Sequence, residues 1–142
     1  MKVDSIVNGI VIDHIAAGKA MTLYRLLELD KLDCPVAVIQ NAPSEFMGKK
    51  DIIKIDSDVD VNLDVIGYVS PNVTVNIIRN EEIVEKKHLS LPKKLTNIIR
   101  CKNPRCITTS ESQLDAIFFL SDAEKHTYRC AYCETEESRK KF

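Results

Sequence analysis

Four of the five cysteines in this chain fall within its last 42 residues, at Cys101, Cys106, Cys130 and Cys133. They read C-x4-C, an intervening stretch of 23 residues, then C-x2-C. Two short cysteine turns joined by a loop are the sequence form of a tetrahedral four-thiolate site, each turn holding two sulfurs about 2.3 Å from one ion. Such a site has no open coordination position. It is therefore structural and cannot generate a catalytic hydroxide. The spacing points to one Zn2+, with iron, two disulfides or four buried free thiols as the alternatives. An odd cysteine count argues against a disulfide framework. The N-terminal MKVDSIVNGIVIDH, which reaches Asp4 before any apolar core, shows no secretory signal. The fifth thiol, Cys34, reads as a small buried hydrophobe beside a strand. The longest apolar run, Ala116 to Leu120, is far shorter than the ~20 residues a bilayer requires. The expectation is a cytoplasmic protein with no membrane partner.

Charge divides the chain near the same place. The formal net charge is −1, yet residues 1–85 carry 8 basic and 14 acidic side chains and residues 86–142 carry 12 and 7. From Lys86 to Arg105 there are seven Lys or Arg and no acid. The asymmetry predicts two domains, 1–91 and 92–142. The second, at about 50 residues, is too small for a self-sufficient core and needs the metal as its staple. Four thiolates and one Zn2+ would offset part of its positive charge.

Residues 1–91 alternate between strand and helix patterns. Ser5–Asp13 is rich in Ile and Val and predicts a strand. Over Gly18–Leu29, Ala20, Leu23, Tyr24 and Leu27 recur at helical spacing. Further strands are expected at 35–40, 50–56, 73–78 and 82–87, with a turn-rich loop over 41–48. A second helix around Val61, Val65 and Tyr68 is closed by Ser70-Pro71. The order βαββαβ plus one hairpin strand predicts an α+β, ferredoxin-like domain whose helices cover one face of a mostly antiparallel sheet. A small β-rich, zinc-ribbon-like domain follows.

No Walker motif, GxGxxG or GxSxG occurs, and no nucleophile has an evident base. What remains is a scatter of cations on strands (Lys50, Lys54 and Lys86) with Asp13-His14 at the end of the first. Ammonium groups neutralise polyphosphates, and a carboxylate accepts from ribose hydroxyls or an exocyclic amine. The bland reading is a solvated face with unrelated lysines.

The residues also resemble a known family. Gly9-Ile10-Val11-Ile12-Asp13-His14-Ile15, Asn41-Ala42-Pro43-Ser44 and Met47 through Ile55 (MGKKDIIKI) are similar to the regulatory chain of aspartate carbamoyltransferase. So are Pro71-Asn72-Val73-Thr74-Val75-Asn76, Leu89-Ser90-Leu91-Pro92 and the cysteine spacing. The resemblance implies a non-catalytic chain of pyrimidine biosynthesis. Its first domain would bind ATP, CTP and UTP and pair with a second regulatory chain, and its zinc domain would dock the catalytic chain. Carried over by position, Asp4 and Ile6 lie near the base, and Asp13 and Lys54 toward ribose and base. His14, Asn76, Ile83 and Lys86 surround phosphates and sugar, while Lys50 and Ile78 complete the pocket. Asn103 and Glu134 match partner-interface residues; Arg105 replaces a polar one and Thr135 a lysine. The rival readings are a zinc-ribbon nucleic-acid-binding protein, suggested by the basic stretch, and a free-standing ferredoxin-like enzyme. Few aromatics and an acidic first domain oppose the former, so no nucleic-acid partner is expected.

Overall fold

Alternating isoleucines fix the first sheet. In the computed structural model, which describes residues 6–111 and 113–138, strand β1 (Gly9–Ala16) buries Ile10, Ile12 and Ile15. Strict alternation would turn Ile15 outward. A bulge between Ile12 and Ile15, with His14 at φ 60°, inserts the extra residue that keeps all three on one face. The chain separates into two units, Met1–Ser90 and Leu91–Phe142.

In the first unit, β1 is followed by α1 (Ala20–Leu26), β2 (Val36–Ser44), β3 (Gly48–Ile55), α2 (Leu63–Val69), β4 (Thr74–Arg79) and β5 (Glu82–His88). The strands form one sheet in the order β2-β3-β1-β4-β5, every neighbouring pair antiparallel. This is the ferredoxin-like arrangement with β5 added at one edge. Helix α1 packs on α2, β2 and β3. Leu23, Ile66 and Val69 meet Ile12, Ile53, Ile55 and Val75 in a core that is at most 1% exposed. The sheet's other face carries Val11, Asp13, Lys50, Lys54, Thr74 and Asn76, placed there by the pleat.

Boundaries differ from expectation for identifiable reasons. The strand predicted over Ser5–Asp13 begins at Gly9 and runs on to Ala16, because the bulge lets it continue past Asp13. Gly9 itself is demanded by the Ile55 carbonyl, which would lie 2.1 Å from a Cβ at that position. The loop predicted over 41–48 is mostly strand. Asn41, at φ 61°, forms a second bulge, after which Ala42, Pro43 and Ser44 resume pairing with Lys50, Lys49 and Gly48. Pro43 is tolerated because β2 is an edge strand. The first helix is shorter than the span 18–29, since Glu28 turns left-handed (φ 54°) and a 3-10 turn, Leu29–Lys31, follows. Helix α2 begins where the Asn62 side chain accepts from Asp64 N and Val65 N.

Asp51, fully buried, ties these pieces together. Its Oδ2 accepts from Gly18 N at 3.0 Å and Ala20 N at 3.1 Å, at the start of α1, and its Oδ1 accepts from Asn41 N at 3.0 Å in the β2 bulge. Ser70 Oγ, at the end of α2, accepts from Ala16 N at 3.0 Å.

The second unit is a four-stranded antiparallel sheet, β6 (Lys94–Thr96), β7 (Ile117–Asp122), β8 (Thr127–Cys130) and β9 (Glu136–Ser138), in sequential order. A single helical turn, α3 (Ile107–Ser110), lies between β6 and β7. Leu95, Phe118 and Tyr128 form a small core, and Tyr128 Oη donates to the Pro92 carbonyl at 2.6 Å. Asn97 closes the β6–β7 connection: its Oδ1 accepts from Ala116 N at 2.8 Å and its Nδ2 donates to Asp115 at 3.0 Å.

Replacing Asp51 by Ala orphans three backbone donors, two of them at the helix start. The expected loss is on the order of 3 kcal/mol. It is read as a lowered urea midpoint of the first unit's unfolding, with Asp51→Asn falling in between. An unchanged midpoint in Asp51→Ala would remove Asp51 from this role.

Candidate functional site

The second unit brings all four late cysteines to one point. Cys101 follows β6, Cys106 caps α3, Cys130 ends β8 and Cys133 lies in the turn after it. Their sulfurs all lie within 4.8 Å of one another. Cys101 Sγ is 3.5 Å from Cys133 Sγ, and Cys106 Sγ is 3.7 Å from Cys130 Sγ. Disulfides would need about 2.05 Å. A tetrahedron of sulfurs at a Zn–S distance of 2.3 Å has edges of about 3.8 Å. The four thiols are free, and the Cys101–Cys133 and Cys106–Cys130 separations match such edges.

The thiols are not equivalent. Cys106 and Cys130 are buried, whereas Cys101 and Cys133 are partly open. Burial pushes the Cys101 thiol up to about 12 and raises that of Cys130. Cys133 is held down to about 6, by the Thr135 hydroxyl first and the Thr135 N–H second. Backbone N–H groups of Tyr132 and Cys133 face the Cys130 sulfur, and that of Asn103 faces Cys101. The short cysteine turns thus aim main-chain donors at sulfurs that carry negative charge once a metal is bound.

Two hydroxyls join them. Thr108 Oγ1 is 3.0 Å from Cys106 Sγ, and Thr135 Oγ1 is 3.1 Å from Cys133 Sγ. Both threonines stand two residues after a cysteine, a repeated C-x-T that is visible in the sequence and that spacing arguments about the ligands alone pass over. Asn103 donates to Thr135 Oγ1 at 3.3 Å and accepts from Arg105 N at 3.0 Å. Arg105 and Glu134 are exposed, Glu134 at φ 62°.

The uncovered face of the first sheet brings together most of the other sequence-selected residues. Lys54, Val11, Asn76 and Lys86 are successive cross-strand partners on β3, β1, β4 and β5. Three strand spacings separate the two lysines, about 14 Å. In the neighbouring row Asp13 pairs with Thr74, and Thr74 with His88. Asp13 Oδ1 accepts from Lys50 Nζ at 3.0 Å and from His14 N at 2.6 Å. Ile78 faces Gly9 and Ile83, the latter 59% exposed. Asn76 is 9% exposed, and its Oδ1 has no hydrogen-bond partner among the described residues. Ile6 is buried, with its side chain beside Gly9. Asp4 lies outside the described residues.

Residues 1–90 match the family model described as the aspartate carbamoyltransferase regulatory chain, allosteric domain, and residues 93–142 match that chain's metal binding domain. The chain belongs to the aspartate carbamoyltransferase regulatory chain family. It is 47% identical to the regulatory chain of Clostridium botulinum, over 94% of this chain and 92% of that one. It is 48% identical to that of Clostridium acetobutylicum over the same shares. Identity to the Bifidobacterium longum regulatory chain is 45%, over 96% and 98%.

Membership in this family makes the protein a regulatory chain and not the catalytic one, with an allosteric and a metal-binding domain. Pyrimidine biosynthesis follows from the family. The reading as a free-standing enzyme falls, and the nucleic-acid reading gains no support. Among the described residues, the four cysteines are the one group of three or more His, Cys, Asp or Glu close enough to share a metal. No described helix is long and apolar enough to cross a membrane.

Cys130→Ser removes a buried ligand, and metal binding in such small units contributes folding free energy of ~10–16 kcal/mol. Elemental analysis is expected to find one metal per chain in the parent and a substoichiometric amount in the variant. Full retention in the variant would exclude a four-thiolate site.

Proposed function

We propose that this chain is a nucleotide-responsive subunit whose first domain, 1–91, binds ATP, CTP and UTP and pairs with a second regulatory chain. Its second domain, 92–142, holds one structural Zn2+ on Cys101, Cys106, Cys130 and Cys133 and docks the catalytic chain of aspartate carbamoyltransferase in the cytoplasm. When bound, the zinc supplies cross-linking of the two cysteine turns and no chemistry. Asn103, Arg105 and Glu134 border the cysteine turns and are the proposed contacts with the catalytic chain.

The row Lys54–Val11–Asn76–Lys86 carries the nucleotide reading. A buried acceptor without a donor costs free energy unless a ligand supplies one. Asn76 Oδ1 is such an acceptor, and a ribose hydroxyl or an exocyclic amine would satisfy it. Lys54 and Lys86, set one strand to either side of the Val11–Asn76 pair, have no ion-pair partner among the described residues and remain available to phosphate. Lys50 is instead engaged by Asp13, so its part is to hold the Asp13 carboxylate and the His14 backbone in place. Asp13 then offers its second oxygen to a sugar or base. Ile78 and Ile83 give the base an apolar wall, with Asp4 and Ile6 assigned to the base as well.

Binding can shift a two-state assembly only through different affinity for its two states, typically a coupling of ~1–3 kcal/mol. The same coupling works in reverse. A bisubstrate analogue saturating the catalytic chains is expected to change the nucleotide affinity of this chain by the factor through which nucleotide changes analogue affinity. Equal nucleotide affinities with and without the analogue would reject allosteric transmission. Within the site, Lys86→Ala and Lys54→Ala are each expected to weaken ATP binding to the intact chain on the order of tenfold, measured by calorimetry. They should also flatten its salt dependence. Unaltered affinity in both variants would return the lysines to a solvated face.

A further inference from the structure

The four-cysteine site has one buried edge, Cys106–Cys130, and one partly open edge, Cys101–Cys133. On the open edge a chain of polar groups runs from Asn103 Nδ2 to Thr135 Oγ1 at 3.3 Å and from there to Cys133 Sγ at 3.1 Å. We infer that Thr135, oriented by Asn103, is a positioning residue that donates its hydroxyl proton to the Cys133 thiolate and so slows metal release through this edge. The inference rests on the four-thiolate reading of the site and extends it to a residue outside the ligand set.

The direction of the hydrogen bond follows from donor and acceptor capacity. A thiol at Cys133 donates to the Thr135 oxygen. A metal-bound thiolate has no proton, so the bond between the same two atoms requires the hydroxyl to donate. A hydroxyl has one proton and two lone pairs. The Asn103 amide occupies one lone pair, which leaves the rotor free to turn its proton to the sulfur. Asn103 is itself held by accepting from Arg105 N through its Oδ1, which fixes the amide with its Nδ2 toward Thr135. The buried edge has a matching hydroxyl, Thr108 at 3.0 Å from Cys106, but it needs no orienting partner because burial already excludes competing water. On the open edge water competes for both the thiolate and the hydroxyl, and the relay supplies the order that burial supplies opposite.

Outer-shell hydrogen bonds of this kind typically change metal affinity 10–100-fold. The test uses the full chain loaded with zinc, and separately with cobalt(II). Metal content per chain is measured first. Zinc transfer to an excess of a chromogenic chelator is then timed for the parent, Thr135→Val, Thr135→Ser and Asn103→Asp. Thr135→Val keeps the shape and removes the proton, and is expected to release zinc about 10-fold faster. Thr135→Ser restores the hydroxyl and is expected to return the rate to the parent value. Asn103→Asp keeps the acceptor for Arg105 N but draws the hydroxyl proton to itself, and is expected to release faster as well. In the cobalt form, losing a hydrogen bond raises the sulfur lone-pair energy. The thiolate-to-metal charge-transfer band of Thr135→Val is therefore expected to move to longer wavelength and that of Thr135→Ser to stay. A parent chain that binds no metal would overturn the four-thiolate reading, and the relay with it. A parent that binds one metal, with release rates and charge-transfer bands the same in Thr135→Val, would overturn the relay alone.

Discussion

A single buried carboxylate sets the geometry on which the first unit's uncovered face depends. Asp51 sits at a position that alternation assigns to the core, between Lys50 and Ile52, both on the opposite face. Its two oxygens take backbone donors from the start of α1 and from the β2 bulge. The partner of Asp51 across the sheet is Ile15, immediately after the β1 bulge. Both bulges therefore flank the same residue of β3. They shift the phase of β1 and β2, keep Ile15 of β1 on the core face, and bring Asp13 within reach of Lys50. Core packing, helix initiation and the polar row share one anchor.

Thiols play the corresponding part in the second unit, by another route. Three large side chains, Leu95, Phe118 and Tyr128, form most of its apolar core, which is little for some 50 residues. The sheet nevertheless delivers Cys130 opposite Phe118 at the end of β8, and α3 starts at Cys106, so two turns from separate parts of the chain converge. Two of the sulfur–sulfur edges already have the length of a four-thiolate cage, and all four sulfurs lie within 4.8 Å of one another. The hydroxyls of Thr108 and Thr135 and several backbone N–H groups face the sulfurs, which prepares the site for negative charge. A unit with so small a core gains from the metal what larger domains gain from burial.

The two sites ask different things of the chain. The cysteine cluster draws four sulfurs to one point, with Cys106 and Cys130 buried, and is suited to rigidity. The sheet face is uncovered by helices and, among the described residues, leaves the buried amide oxygen of Asn76 without a donor. A regulatory chain with an allosteric and a metal-binding domain requires both kinds of surface. In this molecule the order of the chain keeps them on two distinct compact units.

Much of this is legible in the sequence. The ferredoxin-like element order could be read because hydrophobic period is local: Ile10 and Ile12, or Ala20, Leu23 and Leu27, announce strand or helix within a few residues. The four-cysteine cluster is legible because two close cysteine pairs admit few other uses. Local pattern stops the strands short of Ala16 and Ser44, since the bulges at His14 and Asn41 that carry them on are decided by the strand alongside. The short strand β6 left no period to detect. The role of Asp51 had no local signature, as its partners lie 10, 31 and 33 residues away. By itself the sequence determined which faces are apolar and which sulfurs converge, both properties of short-range pattern and composition. Tertiary structure alone decided that Lys54, Asn76 and Lys86 share one row and that Asn103 reaches Thr135, because cross-strand register and the meeting of distant turns are set by packing between segments far apart in the chain.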